Sequence, residues 1–85
     1  MKVKIFWQEN CPKCPPVKEL GEELKQLGAD VSAFDIKDVD GLAEAVNHDV
    51  MSTPSIILVD DDGNEVKSWT DNVPPKEEIE KILES

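Results

Sequence analysis

The stretch Asn10-Cys11-Pro12-Lys13-Cys14-Pro15 decides how the rest of the chain is read. It holds both cysteines, separated by two residues, directly after the apolar run Val3-Lys4-Ile5-Phe6-Trp7. That order reads as a short strand, a tight loop and a helix that begins at the first cysteine. A helix N-terminus presents unpaired backbone N–H groups and the positive end of the dipole, and both favour an anion. Cys11 placed there is expected to be unusually acidic, with its thiolate populated near neutral pH. Lys13 adds a positive charge between the two sulfurs. Cys14, one helical turn on, is within reach of a disulfide with Cys11.

Working outward, 85 residues suit one domain over residues 1–85. Two cysteines provide at most one staple, and a bridge across a two-residue gap constrains the unfolded chain very little. Chemistry therefore explains the pair better than a structural bridge or two inert core thiols would. Nineteen acids stand against nine lysines, with no arginine, for a net charge of −10. Nucleic acid and anionic membrane surfaces are disfavoured as partners, because phosphate contact needs clustered cations. The carboxylates are spread over helix faces and turns, as in a solvated surface. No apolar run approaches the roughly 20 residues of a membrane span. Met1-Lys2-Val3-Lys4-Ile5 goes straight into a strand, with no secretory h-region. The expected compartment is the cytoplasm, where a Cys-x-x-Cys pair is usually catalytic or metal-binding.

The first strand spans Lys2–Trp7, with Val3 and Ile5 alternating against Lys2 and Lys4 until Phe6 and Trp7 break the pattern. Val17, Leu20, Leu24 and Leu27 then recur at helical spacing, and Gly28 suits the C′ position. Pro12 fits a first helical turn, while Pro15 and Pro16 fall where the hydrogen-bond ladder begins, so a distorted first turn and a stiff loop are expected. A second strand covers 31–36. Asp40 is the expected N-cap of a short helix to about His48, with Leu42, Ala43, Ala45 and Val46 as its apolar residues. Ile56-Ile57-Leu58-Val59 is a buried-strand run, Asp60-Asp61-Asp62-Gly63-Asn64 a turn, and 65–69 the returning strand of a hairpin. The three aspartates lack the spaced glutamate of a calcium loop. His48 reads as a surface residue and Trp69 as hairpin packing. A last helix buries Ile79, Ile82 and Leu83. The order βαβαββα predicts an α/β fold, a four-stranded mixed sheet with helices on both faces.

With these elements in place, the chain resembles the thioredoxin/glutaredoxin family of disulfide oxidoreductases, in particular its small, glutaredoxin-sized thioredoxin-like members. The matching residues are Cys11-Pro12-Lys13-Cys14 after strand one, Thr53-Pro54-Ser55 before the hairpin, and Trp7 four residues ahead of Cys11. The resemblance implies a thioredoxin-like fold and a cis Pro54 facing the cysteines. It also implies a Thr53 backbone that pairs with an extended substrate segment. Two departures stand out. Ile5 occupies the place where many thioredoxins keep a buried acid, leaving water or Glu9 to handle the proton of Cys14. Trp69-Thr70-Asp71-Asn72-Val73 replaces the Gly-Gly-x-Asp type segment of typical glutaredoxins. Without those glycines, close backbone approach to glutathione is not expected.

The resulting expectation is a protein-disulfide reductase. Cys11 is the nucleophile and Cys14 the resolving thiol; Pro12 and Lys13 tune the loop; Trp7, Thr53 and Pro54 meet the substrate. The redox-active Cys11–Cys14 disulfide takes the place of a cofactor, and no metal ligand is assigned. The partners are disulfide-containing proteins and an external reductase, with a monomer as the default state. The alternative is a metal-binding or metal-delivery module built on the same two thiols. Small copper carriers usually follow the order βαββαβ, however, and two thiolates fill only half of a tetrahedral zinc site.

Overall fold

Strand β1, Lys2–Trp7, lies inside the sheet and organises everything around it. The computed structural model describes residues 1–9, 14–50, 52–70 and 73–84, with the backbone alone at 14–16. The elements after β1 are α1 (Cys14–Gln26), β2 (Asp30–Asp35), α2 (Val39–Asn47), β3 (Ser55–Val59), β4 (Glu65–Thr70) and α3 (Lys76–Glu84). This is the expected βαβαββα order, with β2 beginning one residue early and β4 extending one residue late. The sheet runs β2-β1-β3-β4. β1 pairs parallel with β2, and the β1–β3 and β3–β4 pairs are antiparallel.

Both faces of the sheet are covered, and the side-chain period of two sorts β1 between them. Val3 and Ile5 join Val17, Leu20 and Leu24 of α1 and Ile79 of α3, together with Ile56, Leu58 and Trp69. Phe6 points the other way, into a second cluster with Ala45, Ile57 and Val59. Phe6 and Trp7 therefore continue the alternation rather than break it. The sequence looked irregular there because two successive apolar residues serve two different cores. Phe6 stacks on Phe34, its register partner in β2, with ring centroids 5.4 Å apart. Trp69 is hairpin core, as expected.

The helices depart from expectation more than the strands do. Pro15 and Pro16 lie at the described start of α1, and the helix start expected at Cys11 lies outside the described residues. Leu27, expected on the buried stripe, lies past the helix end and is exposed. Gly28 takes the C′ position at φ +90. Its N–H donates to Lys25 O and that of Ala29 to Leu24 O, the two bonds of a Schellman close. In α2 the N-cap is Asp38, not Asp40: the Asp38 carbonyl accepts the first helical bond, from Leu42 N at 2.8 Å. Asp40 instead lies in the first turn, where its charge still complements the dipole. Of the four apolar residues assigned to this helix, only Ala45 is buried.

α2 closes with the same two-bond pattern, Asp49 N to Val46 O and Val50 N to Ala45 O, but with Asp49 at φ 55 in the glycine place. A side chain is strained there, and a carboxylate at a helix C-terminus opposes the dipole. Asp49→Gly is expected to stabilise the fold by about 0.5–1 kcal/mol, read as a higher midpoint in urea. The hairpin turn is held by Asp60, whose Oδ1 accepts from the N–H groups of Asp62 and Asn64. That aspartate is occupied with turn geometry.

Candidate functional site

β1 ends at Trp7, and Cys14 is the first described residue of α1. Cys11, Pro12 and Lys13 lie outside the described residues, as does the side chain of Cys14. What the structure defines is the frame on either side of them.

One wall is the segment before β3. Phe6 is registered opposite Ser55, which brings Thr53 and Pro54 to the Trp7–Gln8 end of β1. The Thr53–Pro54 peptide bond is cis, as the resemblance implied. Pro54 and Ser55 are fully buried, and Ser55 Oγ donates to the Ser52 carbonyl at 2.7 Å. Gln8 Nε2 donates to Thr53 Oγ1 at 2.9 Å, a partly buried bond across 45 residues of sequence. Gln8 thus ties the residues leading to the cysteines to the residues preceding Pro54. Thr53→Val removes the acceptor while keeping the shape. It is expected to cost about 1 kcal/mol in denaturant unfolding, most of it restored by Thr53→Ser.

The other wall is α1. Trp7 packs against the core on the α1 face and is partly exposed. Lys18 Nζ sits 3.8 Å above the centre of its ring, an attraction of about 0.5–1 kcal/mol at a partly exposed site. A groove of about 420 Å³ opens beside Trp7 between α1 and β2, with Ile5, Gly21, Val31 and Ala33 in its lining. Lys18 is one turn beyond Cys14 on the same helix.

The place where the resemblance leads one to look for a buried acid is filled by core. Ile5 is 1% exposed and lies among aliphatic side chains. Gly21 lets α1 approach it: a Cβ there would stand 2.8 Å from Ile5 Cδ1. Glu9 is exposed. The carboxyl whose pKa is lowered lies elsewhere. Asp61, in the β3–β4 turn, accepts a hydrogen bond from the terminal ammonium at 3.0 Å and feels its charge.

Of the residues named from sequence, Trp7, Thr53 and Pro54 come together at one end of β1. Gln8 and Lys18 were missed. No spacing announced them, because each acts across two segments that meet only in the fold. His48, expected at the surface, is instead half-buried, with Lys4 Nζ 3.1 Å from its Nε2 and Phe6 against its ring. It turns inward because the chain folds back onto the sheet after α2.

A model of the thioredoxin domain matches residues 1–84. Among solved structures, thioredoxin 1 from the thermophilic eubacterium Thermosipho africanus aligns over 99% of this chain and 96% of its own, at 23% identity and a TM-score of 0.73. Oxidised thioredoxin O2 from Arabidopsis thaliana aligns over 98% and 71%, at 15% identity and 0.74. The reduced thioredoxin pre-protein of Schistosoma mansoni aligns over 98% and 75%, at 18% identity and 0.77. At these identities the likeness shows a thioredoxin-like fold. No curated protein matches the chain by sequence.

Proposed function

The chain belongs to the thioredoxin-domain family, and from that premise we propose that it is a thiol–disulfide oxidoreductase that reduces protein disulfides through Cys11 and Cys14. The observation that carries the reading is the family match over residues 1–84 in a chain whose two cysteines, Cys11 and Cys14, follow β1 at Cys-x-x-Cys spacing. The Cys11 thiolate attacks one sulfur of a substrate disulfide, and the other substrate sulfur leaves and takes a proton from solvent. The Cys14 thiolate then attacks Cys11 Sγ and expels the second substrate thiol. Two electrons have passed to the substrate, and the Cys11–Cys14 disulfide is returned to dithiol by an external reductase.

The remaining residues support these steps. A helix N-terminus and the cations of Lys13 and Lys18 favour the thiolate over the thiol. Pro12 restricts the loop. Trp7, Thr53 and Pro54 border the place where the substrate chain lies. With Ile5 where an acid would stand, the proton of Cys14 passes to water or to Glu9. We take residues 1–85 as one such domain, acting as a monomer in the cytoplasm without glutathione. Among the described residues no helix is long and apolar enough to cross a membrane. The metal-carrier alternative is not favoured, because α2 stands between β2 and β3, where the βαββαβ order has two successive strands.

The mechanism is tested by trapping. Cys14→Ser mixed with a disulfide-bonded protein is expected to accumulate a mixed disulfide at Cys11, seen by intact mass. An equal yield of adduct from Cys11→Ser would overturn the assignment of the two roles.

A further inference from the structure

Helix α2 is built the wrong way round for a helix with only one partner. Its small residues face the sheet: Gly41 is buried against the Asp35 backbone, and Ala45 packs with Phe6, Ile57 and Val59. A Cβ at Gly41 would overlap the Asp35 carbonyl oxygen, so the helix sits too close to roll and bury anything larger. Its larger residues face out. Val39 is 85% exposed, Leu42 53% and Val46 65%. With Ala43 beside them they recur at three- and four-residue spacing. They form an apolar stripe about 100° wide, the width a helix ordinarily turns to its core. The other large exposed hydrophobics among the described residues, Met1, Leu27 and Val66, lie outside α2.

The charges around the stripe select its occupant. Asp38 and Asp49 stand exposed at its two ends, and Asp40 lies along its side with Asn47. Glu44 is directed away, under the helix, where it accepts from Lys4 Nζ at 3.0 Å. No lysine lies within α2; Lys37 precedes the N-cap. Two copies of this face would bring carboxylates together in a chain already at −10, and an anionic lipid surface would be repelled in the same way.

We infer that the outer face of α2 docks a cationic amphipathic helix of a partner protein, its apolar residues seated on Val39, Leu42 and Val46 and its Lys or Arg residues paired with Asp38, Asp40 and Asp49. The N-terminal end of the stripe lies near the catalytic end of the sheet, since α2 follows β2 and Asp35 is registered with Trp7. The docking claim does not rest on the redox reading.

The probe is a synthetic helical peptide with leucine at i, i+3, i+4 and i+7 and lysine elsewhere, titrated into isotope-labelled protein and followed by amide shifts in two-dimensional NMR. Saturable shifts confined to α2 and its caps are expected. Leu42→Asp and Val46→Lys, both exposed changes that leave the circular dichroism spectrum intact, should each weaken binding at least about tenfold. A twin peptide with glutamate for lysine should not bind, and Cys11→Ser should bind as the parent does, which separates this result from the fate of the redox reading. Shifts spread over the whole acidic surface and unmoved by Leu42→Asp would overturn the inference, as would no saturable binding. Sedimentation showing a dimer that Leu42→Asp disperses would replace the partner with a second copy.

Discussion

Replacing Cys11 by serine is expected to lower the rate of protein-disulfide reduction by at least about 1,000-fold, to the level of the donor alone. A serine hydroxyl stays protonated at neutral pH under conditions that ionise a thiol. Neither a helix N-terminus nor nearby cations would bring it within range. Cys14→Ser removes a different step. The first attack survives and the mixed disulfide accumulates, so turnover falls while the burst of one substrate equivalent remains. Assaying reduction of a disulfide-bonded protein under multiple-turnover and single-turnover conditions separates the two. Equal activity of Cys11→Ser and parent would contradict the mechanism.

The largest effect on stability is expected from Gly41→Ala. The added methyl has no room: its position lies 2.7 Å from the Asp35 carbonyl carbon and closer still to the oxygen. These are backbone atoms at the end of β2, not a side chain that can swing aside, so helix and strand must separate. Overpacking of this kind costs about 3 kcal/mol, against a gain in helix propensity of about 1 kcal/mol for alanine over glycine. The net loss of about 2 kcal/mol should lower the thermal midpoint by about 10 °C in a domain of this size. Gly21→Ala is the internal control. Its methyl meets the far end of the Ile5 side chain at 2.8 Å, which can shift, and it should cost clearly less. A Gly41→Ala midpoint equal to or above the parent's would mean that α2 does not sit as close to β2 as described.

The contrast between the two ends of α2's story shows what the sequence could carry. Strand β1, the hairpin turn and the Gly28 close were legible because each is decided locally, by alternation, by an aspartate-glycine cluster and by one residue suited to positive φ. The orientation of α2 was not. Leu42 and Val46 offer the stronger apolar signal, so periodicity assigns them to the core. The choice of Gly41 and Ala45 instead depends on how near the helix lies to Asp35, a distance set by the whole fold. His48 was misread for the same reason, because its partners Lys4 and Phe6 belong to β1.

At the site, the family pattern brought Trp7, Thr53 and Pro54 to one place, and the register of β1 against β3 accounts for it. The bond from Gln8 to Thr53 and the cation of Lys18 over Trp7 were invisible beforehand. Each depends on two segments meeting in space, and nothing in either segment announces the other. Ile5 shows the reverse. Its identity alone signalled a missing acid, and its burial in the core confirms that no carboxyl stands on that part of β1.

The most direct measurement is a redox titration of metal-free protein in thiol–disulfide buffers, with alkylation and intact mass reporting the state of Cys11 and Cys14. A reversible two-electron transition between about −180 and −280 mV is the expected result, the range of working dithiol oxidoreductases. No Cys11–Cys14 disulfide anywhere in that range, together with stoichiometric copper or zinc bound tightly by the two thiols, would contradict it.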